Sequence, residues 1–576
     1  MRHRGPDASG IWRSPDHRIA LGAVRLAIMA PDDGDQPVRN ETGDIRAVVN
    51  GEFYDFERLR ADLQSRGHIF TSRTDSELLI HLYEERGIEC MDELRGEFAF
   101  ILWDAKRARL VAARDRFGIK PLHFTHQGGE WLFASEVKAL VAAGIAPRWD
   151  VEAFSHCLTH QYLRPGESFF EGVREVKPAH LLVFEGEHMK EICYWSPNFE
   201  PDYSIKAEDV IHELKRSVHT RMRSDVPVAC TLSGGLDSSA VASISGASDC
   251  FCVRFDGPDY DEGPLVSAEA LDGRRVHEVS VTQHDLTTHL EAAVHQSEGV
   301  AINGQLVGKY LLSRAIRDAG FKVVLAGEGA DEGFLGYAHL QQDYTRVPSE
   351  SPLQKGVMLP ADDDDTDQDI PSWLERMPTF LRAKLATGRH LSALTQVPLQ
   401  SNAILNETLS SLHTPGGDLT RKSAWLWTRL ALAGYILRRL GDGAEMAHSV
   451  EARLPFLDHV LFELAAKIPT NALINHQQTK ILLRDSLKGV VPDSIRNRKK
   501  HPFLSPPLSN DSVTRDFIYD TLHSDDCRSL PLLDHGNVLN WVNKLDQDPQ
   551  TKRARLDPAL MILLTATLLQ KSYRMT

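Results

Sequence analysis

The sequence lacks the features of a disulfide-linked, secreted or membrane-spanning protein. Its seven cysteines contain no Cys-x-x-Cys pair, which argues against a disulfide framework or a cysteine-based metal site, so we expect reduced, structural thiols. No apolar run reaches the roughly 20 residues that cross a bilayer, and the best candidate, 560–569, is short and contains threonines. The N-terminus MRHRGPDASG has no apolar stretch like that of a secretory signal. We therefore expect a cytoplasmic protein without membrane contact.

Basic residues are in the minority. The chain has 65 Lys and Arg against 80 Asp and Glu, a net charge of −15. An acidic surface repels phosphate backbones, which argues against nucleic acid as the main ligand and favours small-molecule substrates. The 576 residues predict about two to four domains of ordinary globular composition.

Short apolar strands dominate the first 195 residues. Strands are predicted at 45–49, 97–104, 108–115, 131–135 and 180–186, and a helix at 75–87, where apolar residues recur at helical spacing. Strands with helices between them predict a mixed α/β sandwich. The polar stretch 197–209 has two prolines and no periodicity, so it is the predicted linker.

The second part alternates helices and buried strands. A helix is predicted at 207–222 and strands at 226–232, 250–255 and 322–327, a pattern that favours a doubly wound parallel sheet. The acidic stretch 359–371 is interpreted as a solvated insertion. The pattern is helical beyond residue 420 and ends in an amphipathic helix at about 558–572.

The segment TLSGGLDSS (231–239) follows a predicted strand and opens a predicted helix. Gly234 and Gly235 allow a phosphate to approach the main chain, where backbone N–H groups and the helix N-terminus attract anions. An aspartate at position 237 suits a magnesium ion that bridges phosphates. The segment lacks the Gly-Lys-Ser/Thr of a Walker A loop. Its alternative interpretation is a tight turn with a capping serine.

SGGLDSS is similar to the pyrophosphate loop (PP-loop) of the ATP pyrophosphatases, which cleave ATP to AMP and pyrophosphate. GEGADE (327–332), HSVEARLPFLD (448–458) and KILLR (480–484) follow in order. Together these motifs resemble the synthetase domain of the glutamine-dependent asparagine synthetases over nearly all of 200–505, with a divergent insertion at roughly 340–430. The predicted domain spans 205–576, with extra helices around the sheet. The resemblance implies that Asp237 and Asp331 hold Mg²⁺, that Lys480 and Arg484 stabilise the departing pyrophosphate, and that Glu328 is the base. It implies an ATP site made of Leu232, Ser233, Gly234, Gly235, Leu236, Asp237, Ser238, Ser239, Val253, Ala326 and Gly327.

Residues 1–195 resemble the glutaminase domain of the same family, which implies an Ntn-type αββα sandwich. The matching stretches include RHRGPDASG (2–10), NGE (50–52), LRGEFAF (94–100) and RDRFGIKP (114–121). The charges suit glutamine, because an arginine can fork onto its α-carboxylate and carboxylates can accept from its α-ammonium. The implied glutamine site consists of Arg25, Leu26, Met29, Asn50, Gly51, Glu52 and Asp75.

The nucleophile of that family, an N-terminal cysteine with its own α-amine as base, is missing here. The chain begins with Met1 and its first cysteine is Cys90. As written, the polypeptide is therefore not expected to hydrolyse glutamine. Two explanations stay open. The favoured one is a Cys-Gly-Ile segment that belongs before Met1, because the other residues predicted to bind glutamine are intact. The alternative is a protein that takes ammonia or another amine from solution.

The acceptor of the nitrogen also stays open. The aspartate side chain is the first candidate, although residues 301–314 lack the arginine and the Thr/Ser cluster of aspartate-specific relatives. The alternative is an adenylating amide ligase of a specialised pathway that acts on another acid or on an internal amine. A non-catalytic binding protein is disfavoured by the complete motifs, and a tRNA-modifying enzyme by the acidic charge. The oligomeric state is not predicted, and a homodimer is one option.

Overall fold

The computed structural model describes residues 1–186, 188–256, 260, 273–346, 371–412, 416–498, 504–508, 512–545 and 550–576. The acidic stretch 359–371 lies outside these residues except for Pro371.

The strands are β1 (Ala8–Arg13), β2 (Ala20–Arg25), β3 (Val38–Arg39), β4 (Ile45–Tyr54), β5 (Arg95–Asp104), β6 (Arg109–Arg114), β7 (His123–Gln127), β8 (Glu130–Ala134), β9 (Arg174–Glu175), β10 (His180–Glu185), β11 (His188–Cys193), β12 (Val228–Thr231), β13 (Asp249–Phe255), β14 (Arg275–Val281), β15 (Val323–Leu325) and β16 (Glu451–Arg453).

The α-helices are α1 (Phe56–Ser65), α2 (Leu78–Arg86), α3 (Val137–Ala142), α4 (Val151–His160), α5 (Ala207–Arg221), α6 (Leu236–Ser245), α7 (Gln283–Ser297), α8 (Gln305–Asp318), α9 (Ala330–Gly333), α10 (Ala338–Thr345), α11 (Thr379–Ser392), α12 (Ser401–Ser411), α13 (Leu419–Trp427), α14 (His459–Lys467), α15 (Thr470–Leu473), α16 (Ile481–Ser486), α17 (Asp493–Arg496), α18 (Ser512–His523), α19 (Asp525–Arg528), α20 (His535–Leu545) and α21 (Gln550–Tyr573). A π-helix, Thr428–Gly443, continues α13.

The first half of the chain is built on a six-stranded antiparallel sheet of order β11-β10-β6-β5-β4-β3. Two smaller sheets, β1-β2 and β8-β7-β9, accompany it. Successive side chains of a strand point to opposite faces, so the large sheet buries both sides. One face packs on α1 and α2 through residues such as Leu59 and Leu79. The other packs on β7 and β8 through residues such as Leu182 and Phe184. Each of the five strands predicted here lies on an observed strand.

The second half contains a parallel sheet of order β14-β13-β12-β15-β16. The chain adds β13 and β14 on one side of β12 and then crosses to add β15 and β16 on the other. Cys230 and Leu325 face α5 and α6, whereas Ala229 and Val324 face α7 and α8. The predicted doubly wound parallel sheet is therefore present.

Two strands of this sheet were not predicted. β14 lies at one edge and alternates polar with apolar residues, so it has no continuous apolar run. β16 lies at the other edge and has three residues. β16 owes its conformation to pairing with β15, which no local signal encodes.

Buried ion pairs join the two halves. Arg453 of β16 has no exposed surface. Its guanidinium lies 2.9 Å from a Glu52 oxygen of β4 and 2.9 Å from a Glu451 oxygen, and it donates to the carbonyl oxygens of Arg221 and Arg223. A buried charge is tolerated when it is paired and hydrogen-bonded, so this arginine binds β4 to the edge of the parallel sheet.

A second set of ion pairs lies beside it. Arg221 of α5 contacts Glu97 of β5 at 2.8 Å and Asp458 at 2.7 Å, and Asp458 also contacts Arg95 at 2.7 Å. All four side chains are nearly inaccessible to solvent. Although burial raises the pKa of Asp458, Arg221 and Arg95 more than reverse the effect and hold that pKa well below its usual range.

The seven cysteines, all within the described ranges, form no disulfide with one another. Among the described helices, none has the length and apolar character needed to cross a membrane.

We expect Arg453→Met to destabilise the protein by about 3–5 kcal/mol, because the buried Glu52 carboxylate would lose its paired cation and Glu451 would keep only Lys120. Urea unfolding followed by tryptophan fluorescence measures the change. The matched control is Arg223→Met, whose side chain is 52% exposed and contacts Glu57, and which should cost no more than about 1 kcal/mol. Equal effects of the two substitutions would contradict the interpretation.

Candidate active site

The SGGLDSS segment forms the turn between β12 and α6, at the carboxyl end of the parallel sheet. Ligands of such sheets bind in the crevice where the strand order reverses, which here lies between β12 and β15. Gly234 has φ +70°, a value that favours glycine. The Ser238 hydroxyl accepts from the Ser233 N–H at 3.1 Å and donates to the Gly235 carbonyl at 3.3 Å. The Ser238 side chain therefore stabilises the turn by hydrogen-bonding to its backbone.

Gly327, at the end of β15, allows the second motif to approach this turn. A Cβ atom at position 327 would lie 3.0 Å from the Ser238 backbone nitrogen and 3.2 Å from Asp237. The first glycine of GEGADE is therefore explained by close backbone packing of the two motifs.

Lys480 brings three distant segments together. Its backbone is left-handed, with φ 58°, and its ammonium lies 2.7 Å from an Asp237 oxygen and 2.6 Å from an Asp331 oxygen. Gly336 leaves the space for this contact, because a Cβ there would come within 2.0 Å of Asp331 and Lys480. The three charged residues predicted around the phosphates thus meet at one point.

The cavity at this point has a volume of 220 Å³. Among the predicted ATP residues, 232–238, Val253 and Gly327 line it. Ser239 and Ala326 are buried and lie outside the lining. The Ala326 N–H donates to the Arg453 carbonyl. Lining residues that sequence reasoning missed are Lys309, Glu332, Tyr337 and Arg498. Of these, Glu332 ends the GEGADE motif, and its position there was the available signal.

Two arginines flank the cavity near the turn. Arg484 donates to the backbone carbonyls of Thr479 and Arg496, which holds its side chain beside Lys480. Arg498 donates to the Gly234 carbonyl at 3.0 Å. Residues 496–500 form a basic segment, RNRKK, of which residues 499 and 500 lie outside the described part of the chain. These cations suit a polyanionic ligand.

The donor set also suits magnesium. The carboxylates of Asp237 and Asp331 share one cation, the Lys480 ammonium, so both are directed at the same point. Carboxylate oxygens are the ligands that Mg²⁺ prefers, together with the oxygens of a bound phosphate. The residues present therefore fit the ion that the sequence motif implies.

Glu328 is paired with a lysine at the inner end of the cavity. Its carboxylate lies 2.5 Å from the Lys309 ammonium of α8. Burial raises the pKa of Glu328, but the Lys309 charge more than offsets this and holds the pKa below its usual value. The carboxylate is therefore ionised at neutral pH and can accept a proton from a group that displaces the lysine.

A second cavity, of 440 Å³, lies in the first half of the chain. Its lining includes all seven residues that the sequence predicts for glutamine: Arg25, Leu26, Met29, Asn50, Gly51, Glu52 and Asp75. The Asn50 side-chain nitrogen is buried without a partner and can donate to a ligand.

Two of the carboxylates that line this cavity, Glu52 and Asp75, have raised pKa values. Burial and the Asp75 carboxylate raise the pKa of Glu52 despite Arg453, and burial raises the pKa of Asp75 to about 6 although the Phe53 N–H donates to it at 2.6 Å. A ligand ammonium group would supply positive charge there.

The Arg25 guanidinium is already engaged with backbone carbonyls, which limits its predicted binding of the glutamine α-carboxylate. One of its terminal nitrogens donates to the carbonyls of Met29, Ala30 and Asp33 at 2.8, 2.8 and 2.9 Å. The other donates to the Pro31 carbonyl at 3.3 Å. The guanidinium therefore shapes its own loop in this structure, and a carboxylate would have to share or displace these contacts.

A third, small cavity lies between the first two. It has a volume of 20 Å³ and shares Lys309, Glu328 and Ile436 with the cavity at the PP-loop. It shares Met446 and Glu451 with the cavity in the first half. The three cavities thus adjoin one another in series. Glu445 lines the middle one, and burial raises its pKa to about 8.

Comparisons with known proteins cover both halves. Residues 209–569 match the family described as asparagine synthase, and residues 1–195 match the family described as glutamine amidotransferase domain. Amidase chry2 of Gibberella zeae is 32% identical over 88% of this chain and 84% of the relative. Amidase chyE of Penicillium rubens is 30% identical over 98% of this chain and 92% of the relative. The glutamine-hydrolyzing asparagine synthetase 3 of Bacillus subtilis is 32% identical over 87% of this chain and 82% of the relative.

Solved structures match more weakly. A glutamine phosphoribosylpyrophosphate amidotransferase from B. subtilis has a TM-score of 0.24 at 22% identity, over 40% of this chain and 50% of that chain. A similarity this low does not establish a shared fold.

Glu332 should make stability depend on pH. It is 3% exposed and accepts from the Tyr337 hydroxyl at 2.8 Å and the Trp427 ring nitrogen at 3.1 Å. Burial, followed by the Asp331 carboxylate, raises its pKa to about 7. The folded state therefore favours the protonated acid, a contribution present below about pH 4.5 and lost as the pH rises through 7.

Glu332→Gln keeps the acceptor oxygen and cannot ionise. Relative to wild type, we expect the variant to be more stable at pH 8 than at pH 5 by about 3 kcal/mol, measured by urea unfolding at both values. Glu130→Gln, at an exposed position of β8, is the control and should show no such difference. A pH-independent effect of Glu332→Gln would contradict the assignment.

Proposed function

Since the chain belongs to the asparagine synthase family, we propose that it is an ATP-dependent amidotransferase that adenylates a carboxylate. The adenylate is converted to an amide with nitrogen from glutamine or ammonia, and AMP and pyrophosphate are released. One observation carries the proposal: the Lys480 ammonium contacts both Asp237 of the PP-loop and Asp331 of GEGADE. Residues separated by 243 positions form a single phosphate-sized charge cluster beside glycine backbone.

The first step joins the acceptor carboxylate to the α-phosphorus of ATP. One carboxylate oxygen forms the new bond as the bond from that phosphorus to pyrophosphate breaks. Negative charge then accumulates on the departing pyrophosphate, and fixed cations facing it lower the barrier. Lys480 has this role, assisted by Arg484, and Arg498 holds the PP-loop through the Gly234 carbonyl.

Asp237 and Asp331 would hold Mg²⁺ with the phosphates. The ion supplies positive charge that neutralises the triphosphate. Lys480, which shares the two aspartates in this structure, then turns its ammonium towards the pyrophosphate oxygens. A long, flexible lysine side chain suits such a movement.

The second step is attack of ammonia on the acyl-adenylate. The nitrogen bonds to the carbonyl carbon, AMP leaves with the electrons of the broken C–O bond, and the extra proton on nitrogen is transferred to a base. Glu328 is that base. Lys309 keeps it ionised, and Glu328 lines both the PP-loop cavity and the middle cavity.

The series of cavities supports internal delivery of ammonia. Free ammonia is largely protonated at neutral pH and unreactive as a nucleophile, so a route closed to water preserves its reactive form. The middle cavity is lined by Glu328 on one side. On the other side it shares lining residues with the cavity in the first half of the chain, where we propose that glutamine binds.

Two acceptors are candidates. The aspartate side chain is the first, since asparagine synthetases are among the relatives at about 30% identity. A carboxylic acid other than aspartate is the second. Two relatives named amidases match at the same level, one of them over 98% of this chain. Leu312, Leu432 and Ile436 add an apolar wall to the PP-loop cavity, and such a wall suits an acceptor with fewer charges than aspartate.

The acceptor is tested by pyrophosphate release with ATP, Mg²⁺ and ammonium chloride. Aspartate, benzoate and hexanoate are compared, with glutamate, one methylene longer than aspartate, as the matched control. We expect aspartate to support release and asparagine formation at least about tenfold better than glutamate. Release with benzoate or hexanoate but not aspartate would favour the second acceptor.

Lys480→Ala should lower pyrophosphate release by at least about 10²–10³-fold, because the charge that forms on the leaving group would lose its cation. Lys488→Ala, at an exposed position just after α16, is the control and should retain wild-type activity. If Lys480→Ala kept most of its activity, the role of Lys480 would be refuted.

A further inference from the structure

Four side chains with metal-binding atoms converge in the first half of the chain, away from the three cavities. They are Glu41 after β3, His68 after α1, and His81 and Glu84 on α2, and their ligand atoms all lie within 4.8 Å of one another. His81 has no exposed surface and His68 is 13% exposed, whereas Glu41 and Glu84 are 27% and 25% exposed. Three separate segments thus contribute to a partly covered cluster.

The four nitrogen-to-oxygen distances in this cluster are close to the edges of a tetrahedral site. His68 Nδ1 lies 3.8 Å from Glu41 Oε1 and 3.6 Å from Glu84 Oε2, and His81 Nδ1 lies 3.8 and 3.2 Å from the same oxygens. Zinc bonds of about 2.0–2.2 Å imply ligand-to-ligand edges of about 3.3–3.6 Å in a tetrahedral site. We propose that Glu41, His68, His81 and Glu84 bind one Zn²⁺ ion.

The other nitrogen of each imidazole also faces a carboxylate. His68 Nε2 is within hydrogen-bond distance of Glu85 Oε1, at 3.0 Å, whereas His81 Nε2 lies 3.7 Å from Glu77 Oε1, beyond that distance. Metal-binding histidines usually direct their second ring nitrogen at such an acceptor, which orients the ring and raises its basicity. The Glu41 and Glu84 carboxylates are oriented too, by the Ile69 N–H at 2.6 Å and the Asn40 amide at 2.8 Å.

In a second group of this kind among the described residues, Glu152, His156 and Glu167, Arg164 already pairs with both glutamates at 2.6 Å, so we assign no metal there.

The zinc site would stabilise one wall of the glutamine cavity. His68 and His81 enclose the segment that carries Thr74, Asp75 and Ser76, all of which line that cavity. A metal bound to both histidines would tie the two ends of this segment to α2 and to the turn after β3. The ion is therefore structural.

The test is titration of chelator-treated full-length protein with Zn²⁺ by calorimetry, repeated with Co²⁺ as a spectroscopic probe of geometry. We expect one Zn²⁺ per chain, a higher melting temperature with zinc, and the intense visible absorption of tetrahedral Co²⁺. His68→Gln should weaken binding at least about tenfold. His212→Gln, whose side chain is 77% exposed, should bind as wild type does.

Glu41→Gln provides a second variant, since its partly exposed side chain can be changed without opening the core. It should also weaken zinc binding at least about tenfold and remove the tetrahedral Co²⁺ spectrum. The proposal is overturned if the wild-type protein takes up no zinc, or if both variants bind it as tightly as the wild type.

Discussion

The Arg453 guanidinium, enclosed without solvent between Glu52 and Glu451, is the interaction on which the arrangement of the two halves depends. Removing an arginine from water is costly unless carboxylates meet it in the interior, so this pairing favours one relative position of β4 and β16. Glu52 and Glu451 both line the cavity in the first half of the chain, and Glu451 also lines the middle cavity. The buried arginine therefore holds in place both the interface and the start of the proposed ammonia route.

This constraint connects the two chemical sites. β16 pairs with β15, and β15 leads into GEGADE with Glu328 and Asp331. The interface near Glu52 is therefore linked through β16 and β15 to the residues that are proposed to act on the adenylate. The same reasoning explains why many charged groups are buried here: ion pairs between the halves give a defined orientation, whereas apolar contacts alone would tolerate several.

The sequence predicts those parts of the site that local chemistry encodes. Glycines and serines between an apolar strand and a helix predict the PP-loop. The seven residues that the resemblance predicts to bind glutamine all line one cavity. Pairings made only through tertiary contacts have no local signal. Arg453 with Glu52, Lys309 with Glu328, and the cluster of Glu41, His68, His81 and Glu84 emerge from tertiary packing alone. Strand β16 and the engaged state of Arg25 were missed for the same reason, since each depends on contacts made after the chain has folded.

The central claim is that the acceptor carboxylate attacks the α-phosphorus of ATP. The most direct measurement follows oxygen: the acid that supports pyrophosphate release is supplied with ¹⁸O in its carboxylate, and the products are analysed by mass spectrometry. The account predicts one ¹⁸O atom in AMP, because the acyl C–O bond breaks when nitrogen attacks. Label in inorganic phosphate together with ADP would show activation at the γ-phosphorus and contradict the account.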